Sequence, residues 1–177
     1  MTILHTARLR LEPFHPSHRL GLNRLNSDPE VMRYLIGRPE TQEETDAVIE
    51  RVQARWAEHG FSWWSFFDRD SGEIVGAGCI QHLARIVTEP LEIGWRLRTD
   101  QWGKGLATEA AHAMGDFAFR TQPIPLLVAV CHVDNEGSAR VMQRLGMTDC
   151  GLSRAYDMDV RRFEITRQAW EARAAQR

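Results

Sequence analysis

The sequence predicts an α/β fold, classed as α+β in some schemes, because strand-like and helix-like segments alternate along the chain. Leu91 to Arg98 alternates apolar and polar residues, which is typical of a strand. Leu106 to Ala118 carries apolar residues at helical spacing. Leu126 to Cys131 is an unbroken apolar run, typical of a strand buried on both faces. A chain of 177 residues with 43% hydrophobic content can form one core, so a single domain over residues 1–177 is expected.

Four predicted elements occupy the N-terminal half: a strand, a broken helix, a longer helix and a hairpin. Pro29 follows Ser27 and Asp28, and either of these two residues can cap a second helical piece after the break. Thr41 and Glu44 form a capping box that starts the longer helix. In order, the elements span residues 8–12, 15–35 and 41–60, followed by the hairpin strands at 61–67 and 73–83.

The C-terminal half continues from the apolar run with a short helix and two closing strands. The helix lies within Asn135 to Met147, where Gly146 suits the left-handed conformation that follows a last helical turn. The closing strands are expected within residues 148–168, around a turn near Tyr156 to Val160. Residues 170–177 have the composition of a charged tail without pattern.

Charge and composition exclude several function classes. The net charge is −2, from 22 basic and 24 acidic side chains, and no block of Lys and Arg occurs. Nucleic acids and anionic membranes are therefore not expected as partners. No stretch approaches the length of a membrane span, and residues 1–5 lack the charged start and apolar core of an export signal. A cytoplasmic location is expected.

The cysteines and histidines indicate neither a disulfide framework nor a metal site. Cys79 and Cys131 lie in apolar strand-like runs, and Cys150 makes the count odd, so buried thiols are expected. His15 and His18 resemble a ligand pair, but no third ligand accompanies them. No metal is expected.

A glycine-rich turn, Gln101 to Ala110, joins the central strand to the central helix. The first N–H groups of a helix lack partners within it and, together with the helix dipole, favour an anion. A P-loop is excluded because Arg98 replaces its first glycine and Gly105 follows Lys104, where Ser or Thr is required. A dinucleotide fingerprint needs a small residue at Thr108 and a suitably placed acidic residue. Taken alone, the glycines are equally compatible with a purely geometric role.

With its flanks, this stretch resembles the acetyl-CoA motif of the GNAT N-acetyltransferases. The residues that carry the resemblance are Glu92-Ile93-Gly94-Trp95-Arg96-Leu97 and Trp102-Gly103-Lys104-Gly105-Leu106-Ala107-Thr108-Glu109-Ala110. The family loop reads Gln/Arg-x-x-Gly-x-Gly/Ala, and Gly105 and Ala107 fill its two small positions. Trp102 replaces the Gln or Arg. In this respect the stretch resembles one branch of the family, the ribosomal-protein N-terminal (alanine) acetyltransferases, where Trp-Gly-Lys-Gly is frequent.

A second stretch, Asn135 to Met147, also resembles the family pattern. In that pattern Ser follows Asn by three residues, and a short helix ends in Gly and an apolar residue; Asn135, Ser138, Gly146 and Met147 fill these places. Taken singly, Asn135 and Ser138 are explained by helix capping. The two motifs occur in the family order and about thirty residues apart, and together they favour the functional interpretation.

The resemblance implies a mixed, mostly antiparallel sheet of six or seven strands with helices on both faces. In the family, the strands at 91–98 and 126–133 are parallel neighbours that splay apart, and acetyl-CoA enters the gap. The first of these strands would pair with the pantetheine by strand addition, and the glycine loop would hold the pyrophosphate. The implied cofactor-binding residues are Trp95, Arg96, Leu97, Trp102, Gly103, Lys104, Gly105, Leu106, Ala107, Thr108, Asn135, Ser138 and Arg144.

The implied reaction is direct acetyl transfer from acetyl-CoA to a primary amine of a protein N-terminus or a small molecule. The resemblance places Ser138 near the sulfur, where it would protonate the leaving thiolate, and a backbone N–H such as that of Leu97 would stabilise the oxyanion. Strand alternation puts Glu92 on an open face of its strand, where it can accept the amine proton. The alternative is that Glu92 forms a structural ion pair with Arg96 or Arg98.

Two other function classes stay open on the sequence alone. One is a catalytically silent acyl-CoA-binding sensor, and the other is a nucleotide-binding regulator that uses the same turn. The acceptor pocket is expected from loops around residues 27–42, 82–90 and 154–160, which carry no known code for the acceptor. The chain is compatible with a monomer or a homodimer.

Overall fold

Eight strands and six α-helices occur in residues 2–176, the part of the chain that the computed structural model describes. The strands are β1 (Leu4–His5), β2 (Leu9–Pro13), β3 (Trp63–Asp68), β4 (Ile74–His82), β5 (Leu91–Leu97), β6 (Leu126–His132), β7 (Thr148–Ala155) and β8 (Met158–Thr166). The helices are α1 (Arg19–Asn26), α2 (Pro29–Met32), α3 (Gln42–His59), α4 (Leu106–Thr121), α5 (Glu136–Arg144) and α6 (Arg167–Ala174). Short 3-10 helices lie at Pro16–His18, Leu83–Arg85 and Thr99–Gln101. None of the helices in this range is both long and apolar enough to traverse a bilayer.

The strands form one sheet in the order β1-β2-β3-β4-β5-β6-β8-β7. β5 and β6 run parallel and pair at Glu92 and Val128, whereas the pairs β1–β2, β2–β3, β3–β4, β6–β8 and β7–β8 are antiparallel. The predicted mixed, mostly antiparallel sheet flanked by helices is therefore confirmed. The expected count of six or seven strands is wrong, because β1 adds an eighth. With two residues, β1 is too short for alternation to predict it.

The contacts within the chain group into two compact units. Unit 1 comprises Met1–Cys79 and Trp95–Ala113, and unit 2 comprises Ile80–Gly94 and Met114–Arg177. The boundaries between the units fall inside β4, β5 and α4 rather than in a linker. That the whole chain acts as one domain, residues 1–177, stays a prediction.

In unit 1, the helix ends follow the local signals in the sequence. Asp28 caps α2 by accepting a hydrogen bond from the N–H of Glu30 at 2.9 Å, so Asp28 is the cap among the two candidates. Thr41 and Glu44 form the predicted capping box of α3. Gly60 ends α3 with a left-handed φ of 75°. These signals explain where α2 and α3 begin and where α3 ends.

The core of unit 1 is built around the aromatic strand β3. Trp64 and Phe66 are fully buried, and the Trp64 ring packs perpendicular to that of Trp56 in α3, with 4.8 Å between centroids. Next to β3, a Cβ atom at Gly76 would lie 2.4 Å from the Leu97 side chain. Close packing therefore explains this glycine, and it seats the end of β5 against the β3–β4 hairpin.

In unit 2, β8 lies between β6 and β7. A buried cluster joins these strands to the segment after β4 and consists of Leu83, Val128, Ala155 and Val160. The turn between β7 and β8 is Tyr156-Asp157, and both residues have positive φ, 53° and 61°. Two successive positive φ values are typical of the tight turns that match the twist of a hairpin. The predicted turn is confirmed.

The C-terminal segment corrects the expectation of a tail without pattern. It forms α6, which Thr166 caps by accepting from the N–H of Ala169 at 3.2 Å. Trp170 is 3% exposed, and its ring lies so close to Gly115 that a Cβ there would be 2.3 Å away. Its indole N–H donates to Asp116 at 2.7 Å. One large anchor in a charged helix leaves no periodic pattern for the sequence to show.

Candidate active site

The start of α4, in unit 1, has the geometry of an anion-binding turn. Gly103 and Gly105 adopt left-handed φ values of 75° and 79°, a conformation that glycine tolerates without strain. In residues 2–176, the N–H groups of Leu106, Ala107 and Thr108 have no acceptor, as expected for a first helical turn. These donors point out of the helix end and favour negative charge there.

Two side chains of this loop bear on what it can bind. The Thr108 hydroxyl is buried and has no hydrogen-bond partner among the described residues, so it is a donor that the protein leaves unused in this conformation of the loop. Trp102 is 51% exposed, and its indole N–H donates to the carbonyl of Leu97 at 2.9 Å. Trp102 thus fastens the loop to the end of β5. Free N–H groups and an orphaned hydroxyl fit a phosphate-bearing ligand such as CoA.

A brace that the sequence did not reveal holds this loop in place. The Glu109 carboxylate accepts hydrogen bonds from the Thr6 hydroxyl at 2.6 Å and from the backbone N–H and guanidinium of Arg8 at 2.8 and 2.7 Å. Arg8 also donates to the carbonyl of Lys104 at 2.9 Å. Burial raises the pKa of Glu109, but these donors outweigh it and hold the pKa below its ordinary value. The brace joins the segment between β1 and β2 to the loop.

Glu92, in unit 2, is a buried carboxylate held by two neutral side chains. It is 6% exposed, and its Oε2 accepts hydrogen bonds from the Tyr156 hydroxyl, at short range, and from the Gln81 amide at 3.3 Å. The Gln81 amide also donates to the Tyr156 oxygen at 2.8 Å. Within residues 2–176, Oε1 of Glu92 accepts no hydrogen bond. Two side-chain oxygens without a partner, Ser62 Oγ and Thr108 Oγ1, are fully shielded from solvent, whereas Oε1 of Glu92 keeps some accessible surface. This oxygen is therefore open to a ligand.

The environment of Glu92 places its titration near neutrality. Burial raises the pKa to about 7, against the smaller opposing effects of the Tyr156 and Gln81 hydrogen bonds and of the Arg85 charge. The alternative ion pair with Arg96 or Arg98 is not formed. Arg98 pairs with Glu73 and Asp100, and the guanidinium of Arg96 bonds to Asn26. A carboxyl group that titrates near pH 7 has the pKa that suits a general base.

Sequence reasoning placed Tyr156 in one of the loops expected around the acceptor pocket, but it did not connect Tyr156 or Gln81 with Glu92. Tyr156 lies in the β7–β8 turn with its left-handed backbone, and the Arg85 guanidinium lies 6.0 Å from its ring centroid. Gln81 is 8% exposed near the end of β4. The turn was predicted, but a tyrosine in a turn gives no sign that its hydroxyl meets a carboxylate in another strand.

The second motif, in unit 2, forms the start of α5. Asn135 caps this helix by accepting from the N–H of Ser138 at 3.1 Å, so the capping interpretation is confirmed for Asn135. The Ser138 hydroxyl itself makes no hydrogen bond to residues 2–176 and is half-buried. Arg144 is exposed at the end of α5, and Gly146 has the predicted left-handed φ, 82°. Nearby Cys131 is buried, which raises the pKa of its thiol and makes it a poor nucleophile.

The predicted site residues are thus shared between the two units. Unit 1 contains those of β5 from Trp95 to Leu97 and those of the loop from Trp102 to Thr108, and unit 2 contains Glu92, Asn135, Ser138 and Arg144. Across the described part of the chain, no three His, Cys, Asp or Glu side chains are grouped as metal ligands would be.

Comparison with known proteins identifies the family of this site. The model of the acetyltransferase (GNAT) domain family matches residues 8–148, which include the braced loop, Glu92 and the start of α5. The chain belongs to the GNAT acetyltransferase family. The GNAT resemblance of the two motifs is therefore confirmed, and the protein is an acetyl-CoA-dependent N-acetyltransferase.

Relatives of this GNAT domain include one with a named acceptor. FsC-acetyl coenzyme A-N(2)-transacetylase of Aspergillus fumigatus is 31% identical over 183 residues, which cover 94% of this chain and 77% of that protein. An acetyltransferase structure from Agrobacterium tumefaciens superposes with a TM-score of 0.80 at 27% identity, covering 94% of this chain and 95% of the other.

The predicted branch also has a counterpart among the structures. RimL, the ribosomal L7/L12 alpha-N-protein acetyltransferase solved with coenzyme A, has a TM-score of 0.76 at 21% identity, with 95% of this chain and 99% of RimL covered. At this identity the likeness shows a shared fold.

Proposed function

We propose that this GNAT domain transfers an acetyl group from acetyl-CoA to a primary amine by direct attack within a ternary complex, with Glu92 as the general base. The observation that carries the proposal is the Glu92 carboxyl group, buried and titrating near pH 7, with one oxygen held and the other open. An amine in its ammonium form has no lone pair. A base of this pKa can remove its proton at neutral pH, directly or through a water molecule.

In this proposal the cofactor contacts would follow the family pattern in each unit. In unit 1, the N–H groups of the loop from Trp102 to Thr108 would hold the pyrophosphate, and the backbone of Trp95, Arg96 and Leu97 would pair with the pantetheine. In unit 2, Asn135, Ser138 and Arg144 would complete the set. Acetyl-CoA supplies an activated acetyl group as a thioester. The orphaned Thr108 hydroxyl supports this placement.

The proposed step leaves no covalent intermediate on the protein. The amine nitrogen bonds to the acetyl carbon as the carbon–sulfur bond breaks, and the N–H of Leu97 would stabilise the charge on the oxygen. Glu92 takes one proton from the ammonium before the attack, and the nitrogen releases its second proton to water as the amide forms. The Ser138 hydroxyl donates a proton to the sulfur and regains one from water. Ser138 suits this role because its hydroxyl has no protein partner in the described chain. The buried Cys131 thiol offers no alternative nucleophile.

The acceptor is proposed at the level of its chemical class. One relative is named as an N(2)-transacetylase of FsC, whereas RimL is named for the α-amino group of a ribosomal protein. We therefore propose either a small-molecule amine or a protein N-terminus. The protein would act in the cytoplasm as a monomer or homodimer, with neither nucleic acid nor membrane as a partner.

Release of free CoA from acetyl-CoA in the presence of a panel of amines and N-terminal peptides tests the reaction. A ternary complex predicts intersecting lines when initial rates are measured against both substrates, whereas parallel lines would indicate an acetyl-enzyme. If no amine releases CoA although acetyl-CoA binds, the catalytically silent sensor replaces the proposal.

The pH profile tests Glu92. The acidic limb of kcat/KM should lie near pH 7 in the native protein and disappear in Glu92→Gln. The matched control is Glu50→Gln, since Glu50 is exposed on α3, outside this network and outside the loops expected to form the acceptor pocket, and its substitution should leave the limb in place. If Glu92→Gln keeps both the limb and the rate, another group deprotonates the amine and Glu92 is structural.

A further inference from the structure

Arg96 of β5 is a partly buried cation in unit 1 that the proposed reaction does not use beyond its backbone. Its Nε–H donates to Asn26 Oδ1 at 2.9 Å, and its guanidinium lies 4.6 Å from the centroid of the Trp63 ring. Arg8, Arg19 and Arg98 of the same unit each pair with a carboxylate. Arg96 forms no ion pair with residues 2–176.

The unused donors of Arg96 are its Nη groups. A guanidinium has five N–H donors in a planar fork, and the described residues accept only the one on Nε. The Nη atoms keep some solvent-accessible surface, because they are not among the fully shielded side-chain atoms that lack a hydrogen-bond partner. Burial lowers the pKa of Arg96, yet an arginine side chain stays protonated at neutral pH. A desolvated charge of this kind is costly unless a counter-ion meets it.

The neighbours of Arg96 hold the fork in a fixed orientation. Asn26 is 1% exposed, and its amide nitrogen donates to Glu40 Oε2 at 2.8 Å, so its oxygen must face Arg96. Thr45 also donates to this carboxylate, at 3.4 Å. Glu40 attracts Arg96, but no ion pair between the two occurs in the described chain; the Asn26 and Thr45 hydrogen bonds both fall on Oε2 of Glu40. The Trp63 ring covers one face of the guanidinium and leaves its edge as the binding direction.

We propose that the Arg96 fork binds a carboxylate group of the acceptor, so that the preferred acceptors are amines that carry a carboxylate. This inference rests on the proposed acetylation of an amine. Planar guanidinium and carboxylate groups match in two parallel hydrogen bonds, a geometry that lysine cannot provide. The pyrophosphate has its own donors in the braced loop, which leaves Arg96 for the other substrate.

Binding is tested first without turnover. In protein labelled with 15N-arginine, the Nε–H signal of Arg96 is assigned by its loss in Arg96→Lys. Titration with succinate at constant ionic strength should shift this signal saturably, while the signal of Arg98, already paired with carboxylates, stays in place. The proposal is overturned if the Arg96 signal does not saturate, if only inorganic phosphate shifts it, or if CoA abolishes the succinate shift, because the fork would then serve the cofactor.

Turnover is tested with pairs of acceptors that differ in one charge. Ala-Asp and Ala-Asn peptides, and γ-aminobutyrate and butylamine, are compared in the native protein and in Arg96→Gln. We expect the ratio of kcat/KM for the carboxylated member to kcat/KM for the neutral member to fall about tenfold or more in the variant. Equal loss on both members would make Arg96 structural. Arg96→Lys, which keeps the charge but not the fork, should lose less than Arg96→Gln. If no amine is acetylated at all, the proposed function fails, while the NMR titration still decides whether the carboxylate site exists.

Discussion

Replacing Glu92 by Gln should stabilise the protein above neutral pH while it removes the proposed base. The pKa of Glu92 is raised from 4.5 to about 7 in the folded protein. The folded state therefore holds the proton more tightly than the unfolded chain. This contribution to stability is complete below about pH 4.5 and is lost as the pH rises through about 7. Glutamine has no such titration and keeps a neutral amide in the same place.

The magnitude follows from the pKa difference. From 4.5 to about 7, a difference of about 2.5 pH units corresponds to roughly 3.5 kcal/mol at about 1.4 kcal/mol per unit. The free energy of unfolding of Glu92→Gln relative to the native protein should therefore rise by most of this amount between pH 5 and pH 8. Urea denaturation of both proteins at pH 5, 6, 7 and 8 measures the difference.

A carboxylate with the opposite shift provides the control. Donors from Thr6 and Arg8 outweigh burial and lower the pKa of Glu109, so its contribution is present throughout this range and is lost only in acid. Glu109→Gln should thus be less stable than the native protein by an amount that does not change from pH 5 to 8. If the native protein and Glu92→Gln show parallel stability curves over this range, the pKa of the Glu92 carboxyl group is not raised, and the argument for its role as a base is refuted.

Three further outcomes are expected from the site. Tyr156→Phe removes a donor to the ionised form of Glu92, so the acidic limb of kcat/KM should move to higher pH by about one unit; an unmoved limb would contradict the network. Ser138→Ala should lower kcat on the order of a hundredfold and leave the Kd for acetyl-CoA nearly unchanged, whereas a lower melting temperature with normal turnover would restore a purely structural role. Gly105→Val should abolish the thermal stabilisation by acetyl-CoA, because valine disfavours positive φ. In the native protein this stabilisation should be about 2.7 kcal/mol at a hundredfold excess over Kd. If acetyl-CoA stabilises the variant as much as the native protein, the argument from the glycine loop is wrong.

The local structure was predictable because its determinants lie a few residues apart. Asp28 and the Thr41–Glu44 box define helix starts through bonds that span two or three residues. Gly146 supplies the left-handed turn that the sequence predicts after α5. The family of the chain was also readable at this level, since its two motifs are short and continuous.

The short strand β1 and the helix α6 were missed for a related physical reason. Two residues, Leu4 and His5, show no period, and α6 has one buried anchor, Trp170, whose partner Asp116 lies 54 positions away. Such elements are stabilised by contacts with distant parts of the chain, which no local sequence pattern predicts.

The chemistry of the site was decided by tertiary structure. The sequence by itself determined that Glu92 lies on a strand beside an open glycine position, but it left base and ion pair as alternatives. The fold brings Tyr156, 64 positions away, and Gln81 onto the carboxylate, and burial then raises its pKa. In the same way it sets Arg96 against Asn26, 70 positions away. A pKa depends on desolvation and on partners distant in the chain, so only the folded structure could show the surroundings on which the proposed roles of these residues rest.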